Sequence, residues 1–390
     1  MSTLVSAEEE TARRADAIAT SGWGAPFRFV QPRNACFWVY LLLVVTGLGY
    51  LVPTFVSTAG LYAEANAAAI ITSAAFAAVF LYFLHRMDRW GKTPGLLALA
   101  AFIIGGIGST YAIALPGNAA MMSLYAKTFG QAWAQDWKAG LTAPFVEESA
   151  KGVAFLLLMG LAPVVIRTVY DGLIVGAYVG LGFQVFEDAL YGQNSAAAHF
   201  GADQAQSVLS TFALRAITGI TSHALYTALF AAGLIYVIGT AAQPRRSGRG
   251  LLLMLAALVI HGVWDSAAAL SGGTAAVFLI MIATSVFAIA ILVVAIRLGG
   301  GREREFMHAV LAPEVTTATI TGTELAALAG NRRDRRAALR TRTGGLSRRK
   351  EKHILKAIGD LADDLCASGG TDTRDVEHSR AEIARLRTHR

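Results

Sequence analysis

Eight apolar stretches, each long enough to cross a lipid bilayer as a helix, constrain the fold of this chain more than any other feature. A bilayer core about 30 Å thick requires about 20 apolar residues of helix. Charged residues make up 16% of the chain, against about 25% in an ordinary soluble domain. We therefore predict an all-α, polytopic helix bundle in the cell membrane, with about eight transmembrane helices. The predicted spans are 36–56, 67–84, 95–115, 140–162, 171–190, 208–236, 250–270 and 274–297.

Changes in composition divide the chain into three regions. Residues 1–35 are polar and lack the basic start and apolar middle of a cleavable signal peptide. Residues 36–298 hold the transmembrane bundle, and residues 299–390 form a basic cytoplasmic tail. We expect this tail to be solvated or partly disordered apart from a short amphipathic helix over 352–366, with attraction to anionic lipid head groups as the functional alternative.

The positions of the basic residues predict that both termini are cytoplasmic. Short loops rich in Lys and Arg stay on the cytoplasmic side, and basic residues follow the second, fourth, sixth and eighth predicted helices. The segment 116–139 lies on the outer side, where its Trp133 and Trp137 predict an interfacial helix. Membrane topology accounts for most of the net charge of +7. We therefore expect the lipid bilayer, and no nucleic acid, as a partner.

The cysteine content limits the kinds of metal site that the chain can build. Cys36 and Cys366 lie at opposite ends of the sequence. They are too few and too far apart for a disulfide framework or a thiolate zinc site. Any metal would therefore need carboxylate and imidazole ligands.

Ionisable side chains inside a bilayer cost roughly 2.5–3.5 kcal/mol each, and four consecutive predicted helices carry them. In the fourth helix Lys151 lies one turn from both Glu147 and Glu148, so it can pair with one carboxylate and leave the second for another role. An ion pair that only holds helices together is the alternative. The fifth helix carries Glu187 and, near its predicted outer end, Asp188, for which simple exposure at the helix end is the alternative.

The sixth and seventh predicted helices each add a histidine. Arg215 and His223 lie two turns apart in the sixth, where a single His is more often a hydrogen-bonding partner than a ligand. His261 and Asp265 are four residues apart in the seventh, on one face. That spacing suits a metal pair or a His oriented by a carboxylate. At about 1.5 Å per residue, the depths of these side chains predict that the four helices bring them together in the outer half of the membrane.

A cluster of carboxylates and imidazoles supports two routes to peptide hydrolysis. In the first, a metal held by His and carboxylate ligands polarises the scissile carbonyl and activates water, and a free Glu takes the proton. In the second, a Glu and a His activate water without a metal, and polar side chains hold the oxyanion. The residues alone leave both routes open.

Four motif blocks follow one another in these helices, within residues 140–270. They are Pro144 to Lys151 with its Glu-Glu-x-x-Lys pattern, Asp171-Gly172 through Gly182 to Glu187, Arg215 with His223-Ala224-Leu225, and His261 to Asp265. Together they resemble the PrsW-type membrane proteases, part of a superfamily with the CAAX prenyl proteases and bacteriocin-processing proteins. Four ordered blocks are far more specific than any one of them.

The resemblance implies an intramembrane peptidase that hydrolyses a peptide bond of a membrane-anchored protein. It implies that Glu147 and Glu148 activate the water and that Lys151 and Arg215 belong with them among the catalytic residues. The prototype of the family cleaves an anti-sigma factor on its extracytoplasmic side. A regulatory substrate of that kind is therefore the expectation for this chain.

The resemblance also implies a divalent metal, usually described as zinc, although relatives in the superfamily are described as metal-free glutamate proteases. The implied metal-site residues are Glu187, His223, His261 and Asp265, with Asp265 also able to support His261. The chain departs from the family at Asp188, where the family often has Asn. An ionisable carboxyl group therefore stands where the family often has a neutral amide.

Two other classes of function compete with the protease hypothesis. Intramembrane Glu, His and Asp residues also serve proton- or cation-coupled transporters, but the sequence has no repeated halves with paired broken helices. A non-catalytic membrane scaffold whose tail binds a partner would leave the embedded carboxylates without a role.

Overall fold

The computed structural model describes residues 7–340 and 348–388, which are largely α-helical and include no β-strand. They form two compact units. We call Phe27–Asp88 with Thr93–Arg297 the membrane unit. The tail unit comprises the described residues up to Pro26, Arg89–Lys92 and the described residues from Leu298 onward. The prediction of an all-α architecture is confirmed.

The helices follow one another along the chain with short connections between them. They are α1 (Ala7–Ser21), α2 (Ala35–Val56), α3 (Ala63–Met87), α4 (Gly95–Ile103), a π-helical stretch (Ile104–Ala114), α5 (Leu115–Phe129), α6 (Gln131–Leu161), α7 (Val169–Ala198), α8 (Gln204–Thr218), a 3₁₀ turn (Gly219–Thr221), α9 (His223–Ile238), α10 (Ser247–Asp265), α11 (Ala267–Leu270), α12 (Ala276–Thr316), α13 (Gly322–Ala329), α14 (Arg332–Arg340), α15 (Arg348–Ala367) and α16 (Arg374–Thr388).

Seven segments of the described chain are long and apolar enough to cross a membrane. They are Ala35–Val56, Ala63–Met87, Gly95–Phe129, Val169–Ala198, Gly219–Ile238, Ser247–Asp265 and Ala276–Thr316. Each overlaps one of the predicted spans, so the prediction of a multi-pass membrane protein is confirmed.

The remaining predicted span, 140–162, is the fourth along the chain; it lies in α6, which is not among these seven segments. With 31 residues, α6 exceeds the length of about 20 residues that a bilayer core requires. Three charged residues, Glu147, Glu148 and Lys151, occur in its interior, and all three are buried. The helix thus contributes its charged residues to the inside of the bundle.

The prediction of one continuous sixth helix over 208–236 is wrong. The 3₁₀ turn separates α8 from α9, and Ser222 after it has non-helical dihedral angles of φ −110° and ψ −132°. His223 therefore begins a new helix, and Arg215 lies on the helix before it. Hydropathy does not reveal this break, because apolar residues continue on both sides of it.

The interfacial helix predicted over 116–139 is likewise not a separate element. Its first part continues the preceding span as α5, and its second part is the start of α6. Gly130 separates the two with φ +89°, a left-handed conformation that glycine adopts at little cost. Trp133 consequently lies in the first turn of the helix that carries Glu147.

The N-terminus of α7 is set by a capping box. The Thr168 side chain accepts a hydrogen bond from the Asp171 backbone N–H at 3.1 Å, and the Asp171 side chain accepts one from the Thr168 backbone N–H at 2.7 Å. These bonds satisfy backbone donors that a helix start leaves unpaired. The helix accordingly starts at Val169, two residues before the predicted boundary at 171.

Glycines of α7 let two other helices approach its backbone closely. A methyl group at Gly180 would overlap the carbonyl group of His223 in α9, and one at Gly182 would overlap the carbonyl group of Phe102 in α4. Small residues permit this kind of close packing between helices in membranes. The contact at Gly180 sets the position of His223 relative to α7.

The tail unit is held by a buried ion cluster. Glu314 at the end of α12 accepts a hydrogen bond from Arg14 of α1 at 2.8 Å and two from Arg380 of α16 at 2.8 and 2.9 Å.

The short helix predicted over 352–366 is found within α15. A solvated or partly disordered state does not hold for the described part of the tail, because α15 buries an apolar face. That face consists of Ile354, Ile358, Leu361 and Leu365.

Candidate active site

The ionisable residues singled out as candidate site residues lie in or next to one cavity of about 310 Å³ in the membrane unit. Of these candidates, the cavity is lined by Glu147, Glu187, Asp188, Arg215, His223, His261 and Asp265. Glu148 and Lys151 are fully buried and bind histidines that line the cavity. Helices α6 to α10 thus bring together every candidate residue that the sequence singled out.

A carboxylate oxygen of Glu147 that accepts no hydrogen bond lies at the centre of this cluster. Glu147 Oε1 accepts a hydrogen bond from Asn118 Nδ2 of α5 at 2.9 Å. Glu147 Oε2 is buried and has no hydrogen-bond partner. That oxygen lies 3.7 Å from His223 Nδ1, 3.7 Å from His261 Nε2 and 3.8 Å from Lys151 Nζ. One carboxylate oxygen therefore faces two imidazole nitrogens from two other helices.

His261 is oriented by Glu148. Its Nδ1 lies 3.1 Å from Glu148 Oε1, and because a carboxylate only accepts, Nδ1 is the protonated nitrogen in this contact. Glu148 is itself held by Lys151 Nζ at 2.6 Å and by the Thr227 hydroxyl at 3.3 Å. The pairing leaves His261 Nε2 as the nitrogen that faces Glu147.

His223 is oriented in the same way by Glu187. Its Nε2 lies 3.0 Å from Glu187 Oε2, and that oxygen also accepts a hydrogen bond from Arg215 Nη2 at 2.7 Å. Arg215 binds Asp188 as well, through Nε, and its guanidinium lies over the Tyr191 ring at 4.0 Å. Asp188 is therefore an ion-pair partner of Arg215.

Asp265 is the most accessible of these carboxylates. Its Oδ2 lies 3.4 Å from His261 Nε2, and 25% of its side chain is exposed, against 4% for Glu147. The i, i+4 spacing in α10 predicted that the two residues share a face, and they do. Asp265 thus stands at the open side of the cluster.

The residues present fit a divalent metal ion. Glu147, His223 and His261 each offer one ligand atom, and these atoms lie within 4.8 Å of one another. Two His and one Glu are an established ligand set of catalytic zinc, and such histidines usually donate their other N–H to a carboxylate. Glu148 and Glu187 are the carboxylates in those positions.

One contact would have to change if a metal were bound at this set. Lys151 Nζ lies 3.0 Å from His223 Nδ1, the nitrogen that faces Glu147. A metal at Nδ1 replaces that contact, and Lys151 keeps its shorter pairing with Glu148. The lysine therefore retains a partner in either case.

A comparison with protein families bears directly on this site. The family model described as PrsW family intramembrane metalloprotease matches residues 93–296, just over half of the 390 residues. The chain belongs to this family. The resemblance inferred from the four motif blocks is thereby confirmed, and the matched region contains every residue of the cavity. Searches of curated proteins and of solved structures found no match.

Membership in the PrsW family establishes the class of function. The chain is an intramembrane protease, and its substrate is a protein embedded in the membrane. This assignment is preferred over the transporter and scaffold hypotheses, neither of which accounts for the family match. The metalloprotease description agrees with a Glu and two His in reach of one ion.

Sequence reasoning missed several residues that contact the cluster, among them Asn118, Tyr226 and Thr227. Asn118 follows a Pro-Gly pair, which is typical of a loop, but it lies in α5 and binds Glu147. Tyr226 and Thr227 are three and four residues after His223, so they share its face once α9 is known to begin there. That spacing was the available signal.

Proposed function

We propose that the cavity hydrolyses a peptide bond of a membrane-anchored protein with a zinc ion held by Glu147, His223 and His261. The observation that supports this most is Oε2 of Glu147, which accepts no hydrogen bond and lies 3.7 Å from one nitrogen of each histidine. A buried carboxylate oxygen without a partner is costly unless a cation or a donor completes it. A ligand set of this composition is typical of zinc peptidases.

The proposal assigns supporting roles to the remaining carboxylates. Glu148, held by Lys151, orients His261, and Glu187, held by Arg215, orients His223. The sequence hypothesis had Glu147 and Glu148 as the water-activating residues, and Glu187 and Asp265 among the metal-site residues. The proposal makes Glu147 a ligand and Asp265 the proton acceptor, and it changes the roles of Glu148 and Glu187. The hydrogen bonds that these two side chains already make favour the supporting roles instead.

Zinc at this position would supply Lewis acidity to the scissile carbonyl and to a water molecule. Asp265, at the accessible edge of the cluster, accepts a proton from the attacking water molecule as the water oxygen bonds to the carbonyl carbon. As the carbon–nitrogen bond breaks, Asp265 passes that proton to the departing amine.

The finer proposal concerns the substrate and the side of the membrane. We propose a regulatory protein of the anti-sigma-factor kind, cleaved in the outer half of the bilayer, with both termini of the protease cytoplasmic. The distribution of Lys and Arg supports the orientation. The substrate class rests on the resemblance to the family prototype.

The experiment uses the full chain, purified and reconstituted in lipid, with a membrane-anchored peptide as the substrate. Cleavage and bound zinc are measured for Glu147→Gln and His223→Asn, and for the parent protein before and after 1,10-phenanthroline. Both variants should lose bound zinc and at least roughly 10²-fold in cleavage rate. Zinc that is added back after the chelator is removed should restore cleavage by the parent protein.

His199→Asn is the matched control, because His199 is exposed at the end of α7 and outside the cavity. It should cleave at the parental rate. If the parent protein is indifferent to chelator while Glu147→Gln is inactive, the metal-free route replaces the zinc proposal, with Glu147 taking the proton. If Glu147→Gln folds and cleaves normally, the cavity is not the catalytic site.

A further inference from the structure

Tyr226 lies next to the histidines of the cavity because α9 begins at His223. It lies three residues after His223, on the same face of the helix, and it lines the cavity. Its ring stacks on the His261 ring with centroids 5.1 Å apart and an interplanar angle of 29°. It meets the His223 ring edge-on at 6.1 Å. The phenol ring thus contacts both histidines of the site.

The hydroxyl group of Tyr226 is buried and has no hydrogen-bond partner. A buried polar group without a partner destabilises a folded protein. Phe would make the same ring contacts without this cost. The hydroxyl group therefore has no role in the packing that the structure shows, and it is available to donate a hydrogen bond to a ligand that enters the cavity.

The chemistry of the neighbouring unpaired atoms indicates what that partner is. Around the cavity, the other buried side-chain atoms without partners in the described residues are oxygens of Asn118, Glu147, Gln184 and Asp188. All of these accept hydrogen bonds. Tyr226 is the member of this unpaired set that carries a hydrogen to donate.

We propose that the Tyr226 hydroxyl donates a hydrogen bond to the carbonyl oxygen of the scissile peptide bond, and that this bond strengthens as the oxygen becomes an oxyanion. No proton is transferred, so Tyr226 stays neutral throughout. Donors preorganised in a site that excludes water stabilise the transition state more than the bound substrate. The inference rests on the proposed function, since it places the scissile carbonyl next to Glu147, His223 and His261.

Tyr226→Phe in the reconstituted full chain is the test, because it removes one oxygen atom and keeps the ring. Loss of one oxyanion donor should lower kcat by roughly 10²–10³-fold. KM, bound zinc and thermal stability should stay near the parental values. Binding of a phosphinate peptide, whose tetrahedral phosphorus carries the oxyanion-like oxygen, should weaken by a similar factor, while binding of the cleaved product peptide should not.

Tyr236→Phe is the matched control, since Tyr236 is equally buried in the same helix but does not line the cavity. It should retain the parental kcat. A Tyr226→Phe protein with the parental kcat would overturn the inference, as would one whose slower cleavage follows from lost zinc, because Tyr226 would then act only by positioning His261. The activity of Glu147→Gln distinguishes failure of the proposed function from failure of this inference. If Glu147→Gln cleaves normally, the proposed function is wrong. If Glu147→Gln is inactive while Tyr226→Phe cleaves normally, only the inference about Tyr226 is wrong.

Discussion

Lys151 Nζ lies 2.6 Å from Glu148 Oε1, and neither side chain is exposed. The same ammonium group is 3.8 Å from Glu147, so the lysine pairs with the second of the two adjacent glutamates. It also lies over the Phe183 ring at 4.3 Å. Because Glu148 in turn holds His261, a charge pair within one helix orients a histidine from another.

Replacing Lys151 with Met should leave Glu148 buried without a cation. Removing one partner of a buried ion pair costs about 3–5 kcal/mol, so we expect a lower thermal stability and loss of cleavage. Lys127→Met is the control, because Lys127 lies exposed in the last turn of α5. Parental stability and cleavage of Lys151→Met would contradict the pairing.

Replacing Glu187 with Gln should weaken zinc binding without unfolding the chain. The amide keeps the volume of the side chain but gives His223 and Arg215 a weaker acceptor. Loss of such a carboxylate behind a ligating His typically costs roughly 10–100-fold in metal affinity or activity. Competition with a zinc-binding dye measures the affinity, and Glu64→Gln, at an exposed position in α3, is the control. Unchanged zinc affinity would show that Glu187 does not support His223 as a ligand.

Replacing Gly180 with Ala should displace α9 from α7. The added methyl group overlaps the His223 carbonyl group, and overpacking of this kind costs about 1–3 kcal/mol. We expect cleavage to fall more than stability, because His223 moves relative to Glu147. Gly248→Ala is the control, since a methyl group there meets no atom within 4 Å. If Gly180→Ala cleaves as well as Gly248→Ala, the close approach at Gly180 does not position the site.

Replacing Glu314 with Gln should loosen the tail unit, because Arg14 and Arg380 lose their shared carboxylate. Alkylation of Cys366 measures this in a Cys36→Ser background. Burial raises the pKa of the Cys366 thiol from 9.0 to about 12, so the folded thiol should react slowly near pH 8. We expect Glu314→Gln to accelerate labelling at least roughly tenfold, as a loss of about 1.4 kcal/mol or more implies.

The raised thiol pKa also predicts the direction of a pH effect on the tail unit. The unfolded thiol releases its proton near 9, whereas the folded thiol keeps it up to about 12. Stability of the tail unit should therefore fall as the pH rises above about 9.

The control for the labelling experiment is Glu305→Gln, which alters an exposed pair with Arg302 and should leave the labelling rate of Cys366 unchanged. If Glu314→Gln and Glu305→Gln are labelled at the same rate, Glu314 does not stabilise the tail unit.

Reporter fusions test the predicted topology. Reporters placed after residues 92, 246 and 310 should be cytoplasmic, and those after residues 62, 200 and 272 should be external, because basic loops stay inside. Alkaline phosphatase and green fluorescent protein activities give opposite readouts for the two sides. An inverted pattern would move the cavity to the inner half of the bilayer and would remove the support for extracytoplasmic cleavage.

The sequence by itself determined the kind of protein and most of its candidate site. Apolar runs of sufficient length predicted the membrane spans. In lipid, backbone N–H and C=O groups have no water to bind, and a helix satisfies them within one segment. Charged residues within those runs stood out because lipid penalises them. Four ordered blocks then indicated the family, and the spacing of His261 and Asp265 placed both on one face of a helix.

The tertiary structure decided the contacts that give these residues their roles. Helical periodicity relates positions three or four residues apart, but it does not state which faces of distant helices meet or which ring nitrogen faces which carboxylate. The start of α9 at His223, the approach of Asn118 to Glu147 and the pairing of α1 with the tail through Glu314 all depend on packing between segments far apart in the chain. Such packing follows from the fit of whole helix surfaces, which no local pattern of residues contains.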